Sequence, residues 1–192
     1  MLKLLKEVFR QGDATVKYPF APYEVEKDFR GRPEHIPEKC IACAACTIAC
    51  PANALSMETD LDAGTRTWSI SYGRCIFCAR CEEVCPTQAI RLSTDFELAV
   101  ADKADLTTKA VFKLASCVCC GEPFAPAKEI AYVTALIEAN SLADELAVGS
   151  VGSSRSSEAE RRRRTLATCP ACKRANDLKN IAHITNQQEK RR

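Results

Sequence analysis

No stretch of the 192-residue sequence is apolar for long enough to cross a bilayer as a helix, which takes about 20 residues. The longest candidate, 41–55, is interrupted by cysteines. Nor does one sign of charge dominate. The 27 Lys and Arg stand against 25 Asp and Glu, a net charge of +2, which excludes a general affinity for nucleic acid. The opening Met1-Leu-Lys-Leu-Leu-Lys is too short and too charged for a signal peptide with its apolar stretch and small-residue cleavage site. No motif for a nucleotide, a nickel ion or a substrate pocket is present, so no residue is a candidate for catalysis. The single tryptophan, Trp68, is expected in a core or an interface rather than as an electron conduit.

Cysteine is the residue in excess, with 13 in the chain. Cys40-Ile-Ala-Cys43-Ala-Ala-Cys46-Thr-Ile-Ala-Cys50-Pro51 repeats its spacing in Cys75-Ile-Phe-Cys78-Ala-Arg-Cys81-Glu-Glu-Val-Cys85-Pro86. A C-x2-C-x2-C-x3-C-P run holds a [4Fe–4S] cluster, because three thiolates on one tight loop reach three irons of a cube. The fourth cysteine leads away and ligates the other cluster. The spacing therefore assigns cluster A to Cys40, Cys43, Cys46 and Cys85, and cluster B to Cys75, Cys78, Cys81 and Cys50. Zinc fits less well, since it is usually satisfied by four ligands in paired C-x2-C units. A disulfide framework belongs to small secreted domains. Ile41, Ala42, Ala44, Ala45, Ile48, Ile76 and Phe77 are expected to wall the clusters with apolar surface.

A second set of cysteines lies further on. Cys117-Val-Cys119-Cys120-Gly121 and Cys169-Pro-Ala-Cys172 each contain a C-x2-C pair. Cys117, Cys120, Cys169 and Cys172 together make a four-thiolate zinc site of the ribbon kind, with Cys119 a spare thiol. The separation exceeds the usual one and implies an inserted helix and loop. Iron in the same thiolates, or four free cysteines, are the alternatives. A thioredoxin-type redox pair at Cys169 and Cys172 lacks its βαβ context.

Around these sites the pattern predicts an α+β chain. Residues 2–10 place Leu2, Leu5 and Phe9 on one helical face, as a local cap or as a docking helix for a partner or membrane surface. Residues 11–39 hold four of the nine prolines and read as extended, with Tyr18, Phe20, Tyr23 and Phe29 arguing against disorder. Residues 54–59, 66–72 and 89–93 read as strands. Residues 95–116 are ambiguous, with some helical spacing. Residues 128–148 read as a helix with Asn140 as a stop signal, and 149–164 as a mobile low-complexity loop. Arg161 to Arg164 in that loop read as a solvated charge run or a site for an acidic partner. Three segments follow: 1–34, a docking helix and arm; 35–98, a two-[4Fe–4S] ferredoxin-like core; 99–192, a helical and zinc-ribbon-like lobe.

From Tyr18 to Leu98 the chain resembles the two-cluster subunit of respiratory complex I, through Phe29-Arg-Gly31, Cys40-Ile-Ala-Cys43, Cys50-Pro-Ala, Cys75-Ile-Phe-Cys78 and Cys85-Pro86. Nearly the whole chain is more closely similar to the ferredoxin-type subunit of membrane-bound group 4 [NiFe] hydrogenases, as in formate hydrogenlyase and hydrogenase-4. That likeness adds Tyr18-Pro19, Phe29-Arg-Gly-Arg-Pro33, Pro123-Phe124, Lys128-Glu-Ile130 and Cys169-Pro-Ala-Cys-Lys173. Cys119 and the run Arg161 to Arg164 depart from the pattern.

The resemblance implies an electron-transfer subunit set between an electron-input iron–sulfur subunit and the small and large hydrogenase subunits. Its complex would sit on the cytoplasmic face of the inner membrane, anchored by other subunits, with no nucleic acid bound. The alternatives are a complex I subunit or a free ferredoxin. Diffusing carriers tend to be small and strongly charged, and this chain is long and nearly neutral.

Overall fold

The computed structural model describes residues 2–12, 15–148 and 155–189. Helix α1 (Leu2–Gln11) is followed by an extended arm and strand β1 (Pro33–His35). Then come α2 (Ala45–Ala49), β2 (Leu55–Asp60), β3 (Thr65–Ser71), α3 (Arg80–Glu83) and β4 (Ile90–Leu92). A 3₁₀ turn at Lys103–Leu106 leads into β5 (Thr107–Ser116) and β6 (Pro123–Pro126), and helices α4 (Ala127–Val148), α5 (Arg155–Leu166) and α6 (Pro170–Glu189) follow. The mixture of helix and strand agrees with the α+β expectation.

Two sheets carry the cysteine loops. β1 pairs antiparallel with β4, Pro33 opposite Leu92 and His35 opposite Ile90. β2, β3, β5 and β6 form an antiparallel meander in that order. The core lies under β3, where alternation turns Trp68 and Ile70 inward, each 1% exposed. Leu55, Tyr72, Cys81, Ile90 and Phe112 complete it. The strand expected at 89–93 is present, but its partner is β1, inside a segment expected to be irregular.

The arm owes its order to aromatic packing. Tyr18, Tyr23 and Phe29 surround Phe96 with ring centroids 5.7, 5.9 and 6.1 Å away. The Tyr18 hydroxyl also donates to Glu97. Phe20 takes no part and is 96% exposed. Gly31 N–H then donates to Ser93 O at 2.9 Å and Arg32 N–H to Asp95 O at 2.6 Å, extending the β1–β4 ladder.

Three local expectations are corrected. Residues 107–116 form strand β5, in which Ala110, Phe112 and Leu114 alternate inward between exposed Lys109, Val111 and Lys113. Asn140 does not stop α4. Most of the stretch expected as a loop is helix α5, braced by Arg162 to Glu158 at 2.8 Å, an i, i+4 pair, and by Arg163 to Glu138 of α4 at 2.6 Å. Residues 149–154 of that stretch lie outside the described residues.

Candidate metal centres

The two cysteine repeats fold alike, residue for residue. Ala42 and Phe77 adopt φ of 56° and 54°, Ala44 and Ala79 of 64° and 66°, Asn53 and Gln88 of 49° and 51°. None is glycine, although left-handed backbone disfavours a Cβ. The conformation curls each loop so that its amides face sulfur. Ala42 N–H donates to Cys40 Sγ and Phe77 N–H to Cys75 Sγ, both at 3.4 Å. Ala54 N–H donates to Cys50 Sγ at 3.3 Å and Ala89 N–H to Cys85 Sγ at 3.1 Å.

The fold crosses the repeats. Burial pushes the Cys40 thiol up, and the nearby Cys46, Cys43 and Cys85 add to the rise. Cys46 is raised by burial in the same company of Cys43 and Cys85, partly offset by the Trp68 indole. Cys75 is raised by burial and then by Cys50 and Cys78. Thus Cys85 of the second repeat stands with Cys40, Cys43 and Cys46, and Cys50 of the first stands with Cys75 and Cys78. Cys81 is pushed up to about 12 by burial, with Cys46 and Cys75 as its charged neighbours. For Cys85 burial is outweighed by the amides of Ala89 and Thr87 and the Thr87 hydroxyl, so its thiol lies below the ordinary value.

These surroundings fit thiolate-bound clusters. A cavity is lined by Cys50, Cys75, Cys78 and Cys81 with Leu55 and Ile70 behind them. Beside Cys46, the buried Trp68 Nε1 has no hydrogen-bond partner among the described residues. Such an orphan donor calls for an acceptor the protein does not supply.

The repeats differ in what covers them. Arg66 Nη1 donates to Ala42 O at 3.0 Å, and Lys128 of α4 donates to Pro37 O at 2.7 Å and Glu38 O at 3.2 Å. The first loop is thereby roofed, and Ile41 is 9% exposed where its counterpart Ile76 is 61% exposed. Of the apolar wall expected from sequence, Ile41 and Ala42 are buried, whereas Ile76 and Ile48, at 61% and 85%, face outward. They stand on the rim of the loops, exposed among the described residues.

At the far end of the chain, Cys117, Cys120, Cys169 and Cys172 place their sulfurs all within 4.8 Å of one another. Cys119 N–H at 3.4 Å and Cys169 N–H at 3.2 Å both donate to Cys117 Sγ. Cys172 N–H donates to Cys169 Sγ at 3.4 Å. Gly121, at φ 81°, turns the chain out of the first pair. The Cys169 amide draws the Cys117 thiol down to about 6, while sharing hydrogen bonds with Cys169 and Cys120 pushes Cys172 up to about 12. One thiolate among thiols is what a metal ion would complete by displacing the remaining protons. Cys119 is exposed and outside the group. Sequence reasoning missed Arg66 and Lys128 as neighbours of the first loop; only their tertiary contacts reveal them.

A family described as a 4Fe-4S dicluster domain matches residues 39–89. Formate hydrogenlyase subunit 6 of Escherichia coli (strain K12) is 48% identical over 174 residues, covering 91% of this chain and 89% of its own. NADH-quinone oxidoreductase subunit I of Campylobacter jejuni is 38% identical over 84 residues, 38% of each chain. NAD(P)H-quinone oxidoreductase subunit I of Prochlorococcus marinus is 36% identical over 131 residues, 65% of this chain and 63% of its own. Among solved structures, a chain of the archaeal membrane-bound sulfane sulfur reductase, a respiratory membrane complex, aligns over 51% of this chain and 56% of its own at 32% identity, with a TM-score of 0.39.

Proposed function

The chain belongs to the family of formate hydrogenlyase subunit 6, and from that premise we propose that it relays electrons through two [4Fe–4S] clusters inside a membrane-associated hydrogenase complex. Cys40, Cys43, Cys46 and Cys85 hold cluster A; Cys75, Cys78, Cys81 and Cys50 hold cluster B. What supports this reading is that Cys85 lies near enough to raise the Cys40 and Cys46 thiols, and Cys50 near enough to raise that of Cys75. When bound, each cluster takes up and gives back one electron. The chain's own contribution is to aim amides at the thiolate sulfurs and to bury them, which sets the two potentials.

The work divides along the chain. Residues 1–34 dock, 35–98 hold the clusters, and 99–192 form a lobe joined to the β2–β3 sheet through β5 and β6. In that lobe Cys117, Cys120, Cys169 and Cys172 hold one structural zinc in a ribbon-like site. No helix among the described residues is long and apolar enough to cross a membrane. Attachment therefore comes through partner subunits on the cytoplasmic face. Those partners are an electron-input iron–sulfur subunit and the hydrogenase small and large subunits. α1 is suited to such docking, since Leu4, Val8 and Phe9 are 76%, 62% and 81% exposed.

The second reading, a complex I-type quinone oxidoreductase subunit, is favoured less. Its relatives align over 38% to 65% of the chain, against 91% for the hydrogenlyase subunit. Isolation of the native complex through a tag on this chain, with identification of its companions, tests the proposal. Hydrogenase subunits are expected. Quinone oxidoreductase subunits would favour the second reading, and a free monomer would sink both.

A further inference from the structure

We propose that the Trp68 indole N–H donates a hydrogen bond to cluster A and thereby holds that cluster at a higher reduction potential than cluster B. The inference rests on the cluster assignment of the proposed function and goes beyond it by ranking the two centres.

Trp68 is 1% exposed, and its Nε1 is one of three buried side-chain nitrogens without a partner among the described residues. A buried N–H left unpaired is costly enough that proteins rarely tolerate one. β3 turns the indole inward, and His35 from β1 stacks on it with centroids 3.8 Å apart and planes 16° apart. Phe112 from β5 closes edge-on against His35 at 6.2 Å. The indole is thus fixed from two elements and cannot swing to solvent for a partner. Burial holds His35 neutral, with its pKa lowered to about 4, so the stack itself places no cation there.

Cys40, Cys46 and Cys85, three ligands of cluster A, pack against the core that holds this indole. Burial raises the Cys46 thiol and the indole only partly offsets that rise, without a hydrogen bond of ordinary geometry between them. Sulfur of cluster A, whether the Cys46 thiolate or an adjoining sulfide, is the acceptor within reach.

The repeat supplies an internal control. Under the crossed assignment each cluster receives one loop amide and one amide beyond its fourth cysteine. Cluster A has Ala42 to Cys40 and Ala89 to Cys85; cluster B has Phe77 to Cys75 and Ala54 to Cys50. Those four amides match in pairs, while the Thr87 amide and hydroxyl at Cys85 are further donors on the side of cluster A. Cys81, the counterpart of Cys46, has a backbone amide from Glu82 as its leading hydrogen bond and no indole. The indole and the Thr87 hydroxyl are therefore the side-chain donors that break the symmetry, and both fall on the side of cluster A. Reduction puts negative charge on sulfur, and a donor to sulfur favours the charged form. With both clusters bound, cluster A would be the more readily reduced of the two.

Because Trp68 is the only tryptophan, feeding ¹⁵N-tryptophan labels one indole nitrogen in the chain. In the intact complex, electron–nuclear double resonance on the reduced cluster that Cys43→Ser perturbs should show a ¹⁵N coupling absent from the other cluster. A redox titration should place that cluster above its neighbour. Trp68→Phe, which keeps the ring but lacks the N–H, should move it to lower potential and leave the other in place. Two clusters with no ¹⁵N coupling, or with equal shifts in both, would overturn this inference alone. A chain with only half the expected iron would instead overturn the cluster assignment beneath it.

Discussion

Ala42 and Phe77 occupy the same place in the two cysteine repeats, share φ of 56° and 54°, and donate their amides at 3.4 Å to Cys40 and Cys75. Two side chains so different in size adopt one strained conformation. The loop geometry therefore answers to the sulfur, not to local propensity. Ala42 is 1% exposed under Arg66, whereas the Phe77 loop is open. A symmetric ligand frame thus sits in an asymmetric protein.

The crossing of ligands gives the first prediction. Cys50→Ser should disturb the cluster held by Cys75, Cys78 and Cys81, and Cys85→Ser the one held by Cys40, Cys43 and Cys46. Low-temperature paramagnetic resonance on each variant, beside Cys43→Ser, reads this out. If Cys50→Ser and Cys43→Ser altered the same signal, the ligand sets would not be crossed.

The arm supplies the second. A Cβ on Gly31 would fall 2.8 Å from Ser93 O and closer still to Asp95 O. Both are backbone oxygens that accept from Gly31 and Arg32 in the ladder, so neither can yield without losing a bond. Gly31→Ala should cost about 1–3 kcal/mol, the usual range for overpacking. It should also make the arm before β1 easier to cleave. Limited proteolysis and a thermal melt check it; unchanged cleavage would show that the aromatic contacts at Phe96 alone hold the arm.

How much of this was legible in sequence depended on whether a contact is written in spacing. Cluster ligands recur at fixed intervals because a cube of iron and sulfur demands them, so the dicluster domain at 39–89 was legible from Cys40 to Cys85. Cys117, Cys120, Cys169 and Cys172 were legible as two pairs, although α4, α5 and the undescribed 149–154 lie between them. β5 was not legible, because Lys109 and Lys113 dilute its alternation and its partner is distant. α5 was not legible because a Ser- and Arg-rich stretch suits a solvated loop equally well, whereas Glu158 and Arg162 brace a helical turn. The stack of His35 on Trp68 joins β1 to β3, and no local pattern encodes such a meeting.

A pH dependence follows from that stack. His35 loses proton affinity on folding, from an ordinary value of 6.5 to about 4, chiefly through burial. Lys128 lowers it further, while Glu38 opposes. The unfolded chain therefore binds a proton at pH 5 that the folded chain refuses. The stability is present above pH 6.5 and is lost as pH falls towards 4. His35→Phe keeps an aromatic ring on Trp68 but has nothing to protonate. Its thermal midpoint should fall less steeply than the wild type's between pH 6.5 and pH 4. Parallel curves would mean that His35 does not govern this window.

The four-cysteine site gives the last prediction. Its sulfurs already lie within 4.8 Å of one another, and three amides point at Cys117 and Cys169. A cation would complete this group by displacing the protons of its remaining thiols, and zinc in four thiolates has no redox change of its own. Such an ion adds stability because the unfolded chain offers no preformed site. It would also fix where α6 begins, since Cys172 lies in that helix's first turn. Cys169→Ser should lose one metal per chain, loosen α6, weaken assembly into the complex and leave both cluster signals in place. Cys119→Ser, at an exposed thiol outside the group, should change none of these. Elemental analysis of wild type and variants checks it. Extra iron at the site would make it a third redox centre, and no metal with normal assembly would reduce it to four packed thiols.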